Sequence, residues 1–187
     1  MLASLPDAAV PGEPPRPGVD ARELARTLKL TATVAGWLQL RGYDGSEATR
    51  RFVEPRLSHL SDPALMADRA LAADRLASAV RGGERIAVFG DYDCDGITSA
   101  AITTEVLRTL GGEVTPLLAS RFDGGYGVSR AACDRILASG ARLLVTCDCG
   151  SSDHPSLELL KGRGIDVIVI DHHLVPDEPL PAVAFLN

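Results

Sequence analysis

The stretch "RIAVFGDYDCDGITSAAITTEVLRTLGG", residues 85–112, decides how the chain is read. It opens with an apolar run of strand length closing on Gly90, and residues 97–112 carry an amphipathic helical pattern stopped by two glycines. Between them stand Asp91, Asp93 and Asp95, at every second position, and then Gly96. The same spacing opens a calcium loop of the EF-hand type, which runs twelve residues to a bidentate glutamate. Counted from Asp91, the closing position is Ile102, and the preceding segment is a strand rather than a helix. The stretch therefore reads as strand, acidic turn, helix, with Gly96 permitting the tight turn.

Downstream the alternation repeats. "EVTPLLA" (113–119), "RLLVTCD" (142–148) and "DVIVID" (166–171) read as strands, with "AVAFLN" (182–187) as a fifth. "SRAACDRILASG" (129–140), capped by Ser129, and "HPSLELLKGRG" (154–164) read as helices. The expected fold class is α/β: a parallel sheet flanked by helices, preceded by a helical N-terminal segment. Right-handed crossovers place all strand C-termini on one edge, where ligands bind in open α/β sheets. One strand end there carries Asp91, Asp93 and Asp95, a second Asp148, and a third Asp171, His172 and His173. A single acidic strand end is readily a helix cap. Carboxylates gathered from three ends repel one another unless cations hold them.

Upstream, "DARELARTLKL" and "TATVAGWLQLRG" read as short helices, "SEATRRFVEP" as a third capped by Ser46, and "LSDPALMADRALAADRLASAVRGG" as holding a long one closed by Gly82 and Gly83. The sequence is read as a flexible Pro-rich leader over 1–20, a helical lead-in over 21–84 and an α/β domain over 85–187, the last expected to be cut short at its C-terminal end.

Composition excludes several classes. The 187 residues are 45% hydrophobic and 24% charged, and no apolar run approaches the roughly 20 residues that span a bilayer. The N-terminus lacks the basic and apolar regions of a secretory signal. Cys94, Cys133, Cys147 and Cys149 form no C-x-x-C pair, which argues against structural zinc and for free thiols in a reducing cytoplasm. The net charge of −6 argues against a generic polyanion binder. Residues 85–187, with 8 basic and 14 acidic groups, carry the whole imbalance. Five of those acids belong to the rim, where two divalent cations would offset them. Mixed Asp and His donors suit Mn²⁺ or Mg²⁺ better than Zn²⁺. Two such ions about 3.5–4 Å apart activate a water and stabilise the leaving oxygen of a phosphodiester.

"DYDCDGITS", "RFDGGYGVS", "TCDCG" and "DHH" occur here in the order and context of the DHH phosphoesterase superfamily. The chain most resembles its RecJ-type single-strand DNA exonucleases, from about residue 35 onward. The resemblance implies a two-metal, Mn²⁺- or Mg²⁺-dependent 5′–3′ exonuclease of DNA repair and recombination, with single-stranded DNA as partner and no membrane. It implies Asp91, Asp93, Asp95, Asp148, Asp171 and His172 as metal ligands, Asp148 bridging. His173 would face the scissile phosphate or brace the cluster, and Arg121, Tyr126 and Gly127 would position substrate or shape the site. Proteins of this type continue with a further ligand aspartate, a DHHA1-type domain and often an OB-fold, which complete the DNA cleft. The chain is accordingly read as the N-terminal part of such a protein, with its activity alone left open. Two alternatives stand beside this: a DHH phosphodiesterase for short oligonucleotides or cyclic dinucleotides, and a non-catalytic scaffold.

Overall fold

The computed structural model describes residues 20–175 and 177–187, so the leader read at 1–20 lies, but for Asp20, outside the described residues. The chain forms two compact units, Met1–Ser61 and Asp62–Asn187.

In the first unit, α1 (Ala21–Leu28), α2 (Ala32–Leu40) and α3 (Glu47–Val53) each start where the side chain of Asp20, Thr31 or Ser46 accepts a backbone N–H of the first turn. Leu24, Leu28, Ala35 and Leu38 form its small core, with Tyr43 and Val53 packed at the margin. The Tyr43 ring also stacks on Phe52, 4.8 Å between centroids.

The second unit opens with α4 (Arg69–Gly82), which closes on Gly83 in the left-handed conformation. Within the stretch read as holding it, the helix starts at Arg69. Pro63 to Leu65 form a 3₁₀ turn, Met66 is extended and Asp68 is left-handed at φ 55°. The Asp68 carboxylate is spent on the Phe185 N–H at 3.1 Å instead of on its own helix. There follow β1 (Arg85–Gly90), α5 (Cys94–Thr109), β2 (Glu113–Leu118), α6 (Arg130–Ala138), β3 (Leu143–Cys147), α7 (His154–Gly162), β4 (Asp166–Ile170) and β5 (Ala184–Leu186). All five strands are parallel, in the order β2-β1-β3-β4-β5.

Strand alternation splits the core between the two faces of the sheet. Ile86, Val88, Leu143, Val145 and Ile168 meet Ala72 and Ala79 of α4 and Ala100 and Leu107 of α5. Ala87, Phe89, Leu144, Val167 and Val169 meet Ala132, Cys133 and Ile136 of α6 and Leu157 and Leu160 of α7. Each fully buried Leu, Ile, Val or Phe contributes about 1.5–3 kcal/mol. Since β2 and β3 flank β1 on opposite sides, the chain reverses its winding between β1 and β3. That reversal opens a crevice at their carboxyl ends.

Candidate metal centre

Three strands end in the same way at that edge. Asp91 N–H donates to Cys147 O (3.3 Å), Asp148 N–H to Ile170 O (2.9 Å) and Asp171 N–H to Leu186 O (2.9 Å). Each ladder thus runs one residue beyond the strand and delivers an aspartate to the crevice. All three are buried. The α5 helix then rides over the end of β1. A side chain at Gly96 would put its Cβ 2.5 Å from the Asp91 N and O, so only glycine fits. Asp93 caps α5, its Oδ1 accepting from the Asp95 and Gly96 N–H groups at 3.0 Å. The helix therefore begins earlier than the apolar pattern shows, and Asp95 falls in its exposed first turn.

Asp148 stands at φ 63°, a conformation that a non-glycine residue rarely adopts and that collects at functional sites. Its Oδ1 is buried and receives no aligned hydrogen bond, although His172 Nε2 stands only 2.9 Å away. Ligand atoms of Asp148, His172 and His173 all lie within 4.8 Å of one another. Asp91, Asp93, Asp95 and Asp171 stand outside this closest set, and Asp91 Oδ1 is likewise buried without a hydrogen-bond partner among the described residues. Burial and the neighbouring Asp93 charge raise the Asp148 carboxyl above its ordinary range. The hydrogen bond from Gly96 holds Asp93 below its own.

Asp171 is turned the other way. Its Oδ2 accepts the Ser151 N–H (3.0 Å). Its Oδ1 accepts the N–H groups of His172 (2.8 Å) and His173 (3.2 Å) and faces His173 Nδ1 at 2.7 Å. Burial pushes this carboxyl up, yet the bonds from Ser151 and His173 outweigh it and bring it down to about 2. The resemblance implied a ligand here; the structure commits both oxygens to the backbone and imidazole that present the histidines. In return, the bond to Asp171 raises the His173 imidazole. A carboxylate partner keeps a proton on Nδ1.

The loop between β2 and α6 reaches the same place. Tyr126 OH lies 3.4 Å from Asp148 O and 3.0 Å from His173 Nδ1. The Arg121 guanidinium sits over the Tyr92 ring, 4.9 Å from its centroid. Gly127, buried at φ 76°, lies where a Cβ would fall 2.7 Å from the Asp153 carboxylate. That contact exposes two residues the sequence reading missed. Asp153 Oδ2 accepts the Val128 N–H at 2.8 Å and so fastens the loop to the start of α7, and Ser151 grips Asp171. "SSDHP" reads as an ordinary helix start, and nothing local tells that the Asp153 side chain bonds 25 residues back.

The DHH family, N-terminal domain, matches residues 85–187. The single-stranded-DNA-specific exonuclease RecJ of Bacillus subtilis is 36% identical over 169 residues, covering 90% of this chain and 21% of that protein. The enzyme of the same name from Escherichia coli is 46% identical over 118 residues, covering 62% and 20%. Among solved structures, an exonuclease RecJ bound to manganese superposes with a TM-score of 0.57 at 41% identity, over 60% of this chain and 29% of that one. RecJ from Thermus thermophilus in complex with Mn²⁺ gives 0.54 at 33% identity, over 88% and 22%. The chain spans about a fifth of the length of the curated relatives it matches. With its parallel sheet, its three aspartate-ended strands and the "DHH" triplet at the end of β4, the chain belongs to the DHH family.

Proposed function

We propose that this chain holds Mn²⁺ or Mg²⁺ at the β1–β3–β4 rim and hydrolyses phosphodiester bonds of single-stranded DNA, in the cytoplasm and in the service of DNA repair and recombination. The observation that carries the reading is Asp148. A carboxylate oxygen that is buried, receives no aligned hydrogen bond among the described residues and has an imidazole nitrogen 2.9 Å away as its basic neighbour is costly unless a cation joins the two. The donors around it, carboxylate oxygen with some imidazole, suit Mn²⁺ or Mg²⁺.

When bound, the cation neutralises phosphate charge and lowers the pKa of the attacking water. The residues do the rest. Asp148, His172 and Asp93 bind the cation, with Asp91 and Asp95 as further carboxylates on the same turn. Asp171 holds the His173 ring by its Nδ1–H, so that Nε2 faces the phosphate. Arg121 and Tyr126 place the strand, and Gly127 lets the loop close on Asp153. The names of the relatives supply the substrate class; no helix among the described residues is long and apolar enough to cross a membrane.

An end-labelled single strand incubated with Mn²⁺, using the wild-type chain and Asp148→Asn, tests this. Cleavage that requires Mn²⁺ and disappears in the variant is expected. Cleavage that survives the variant, or none by the wild type with Mn²⁺ present, overturns the reading.

A further inference from the structure

The β2–α6 loop carries an aromatic ring that the site described so far does not use. Phe122 is 99% exposed, and no large apolar side chain among the described residues is more so. Burying such a ring is normally favourable, so a loop that holds it fully in water calls for an explanation.

The loop is not loose. Ser120 O accepts the N–H groups of Asp123 and Gly125, both at 3.0 Å, and Ser120 Oγ accepts the Phe122 N–H at 3.3 Å. On one side of Phe122, Arg121 is laid over Tyr92, which lies between Asp91 and Asp93. On the other, Tyr126 touches both Asp148 and His173. The ring therefore stands on a short, internally bonded arm whose two flanks are fixed to the acidic rim.

We propose that Phe122 is a stacking platform for a nucleobase next to the phosphate held at that rim, and that it makes an unpaired base a condition of efficient cleavage. The assignment rests on the phosphodiesterase reading above. A strand whose phosphate reaches the rim extends its bases away from it, and Phe122, between the rim-bound Arg121 and Tyr126, offers an exposed apolar face beside the rim. Stacking on an aromatic face is sequence-tolerant, because every base has one. A base inside a duplex is already stacked and paired and must first be flipped out. One ring thus favours single strands without reading sequence.

The test compares two oligonucleotides with the same backbone, one bearing bases throughout and one abasic over its terminal nucleotides. The wild-type chain with Mn²⁺ should cleave the base-bearing strand about tenfold faster. Phe122→Ala should remove that difference by slowing the base-bearing strand alone, and Phe122→Trp should restore it. Because the side chain is exposed, neither variant disturbs the core. A second readout needs no turnover: 2-aminopurine in the terminal nucleotides should be quenched on binding to the wild type and not to Phe122→Ala. Equal slowing of both strands, the mark of a ring covered by protein, overturns the assignment. So does a quench that survives Phe122→Ala. The hydrolase reading fails separately, through Mn²⁺-dependent cleavage that is absent or indifferent to Asp148→Asn.

Discussion

The two ends of the sheet treat their acids in opposite ways. At the edge where the strands begin, Glu84 and Asp166 are both gripped by Arg75, at 2.7 Å each. Two of its guanidinium nitrogens go to Glu84 and Nε to Asp166, which raises the arginine further above its ordinary value. At the edge where the strands end, Asp91, Asp93, Asp148 and Asp171 gather with no Lys or Arg ion pair among the described residues. Their basic neighbours are His172 and His173. One edge carries its own counter-cation and the other calls for one from outside. An acid paired with a guanidinium serves the fold, whereas a cluster left with imidazoles alone is arranged for a ligand.

Asp148→Asn should break the contrast most severely. Cleavage should fall by at least about 100-fold, since cation charge stabilisation is worth several kcal/mol. The variant should also reverse sign on stability. A carboxyl whose folded value is raised contributes stability at low pH that is lost as pH rises through that value, so its ionised form burdens the metal-free fold at neutral pH. Metal-free Asp148→Asn should therefore melt at or above the wild type, and the rise in Tm that Mn²⁺ gives the wild type should vanish. A metal-free variant that melts well below the wild type would make Asp148 a structural acid like Asp166.

Much of this contrast is legible from sequence, because it follows from local pattern. Alternation of apolar runs with amphipathic stretches sets strands and helices, and chirality alone then puts Asp91, Asp148 and Asp171 on one edge. Ser46, Ser129 and Gly83 mark helix ends by chemistry confined to one turn. The directions of side chains at the site are not local. Whether Asp171 faces a cation or turns back to Ser151 depends on a loop twenty residues earlier in the chain. Asp153 and Asp68 stand at helix N-termini, yet each bonds a distant backbone N–H, on Val128 and Phe185. Periodicity locates an element; it does not choose among acceptors that tertiary packing brings within reach.

Asp171→Asn should have the next largest effect, and it depends on pH. The carboxyl sits at about 2 in the fold against an ordinary value of 3.8. A depressed acid contributes stability that is present above the unfolded value and lost as pH falls through the folded one. Urea unfolding at neutral pH should show a loss of about 1.5–3 kcal/mol, the range for hydrogen bonds to a charged group. The gap between variant and wild type should close as pH drops from about 4 towards 2. A gap that is constant over that window would assign the effect to shape rather than charge.

Arg75→Ala acts on the other edge. Removing the shared guanidinium leaves Glu84 and Asp166 facing each other without a partner. Both are partly exposed, so water takes up much of the loss and about 1–2 kcal/mol of stability should disappear. The rise in Tm with Mn²⁺ should stay as large as in the wild type. A variant that also weakens the metal response would show that the two ends of the sheet are coupled.

Tyr126→Phe should be the mildest change, and it sharpens the division within the rim itself. Burial, then the charge of Asp171, raises the phenol well above its ordinary value, so the hydroxyl stays protonated and acts as a hydrogen-bond donor. Its contact with the Asp148 carbonyl is long, at 3.4 Å, and the one with His173 is shared with Asp171. Losing one such neutral bond costs about 0.5–1.5 kcal/mol, equivalent to about a two- to tenfold drop in turnover, with Tm almost unmoved. The alkaline limb of the pH profile should keep its position, because the lost group does not titrate there. General-acid catalysis by Tyr126 would instead cost about 100-fold or more and shift that limb. Single-turnover rates across pH for the wild type and the variant separate a hydroxyl that steadies Asp148 and His173 from one that takes part in the proton transfer.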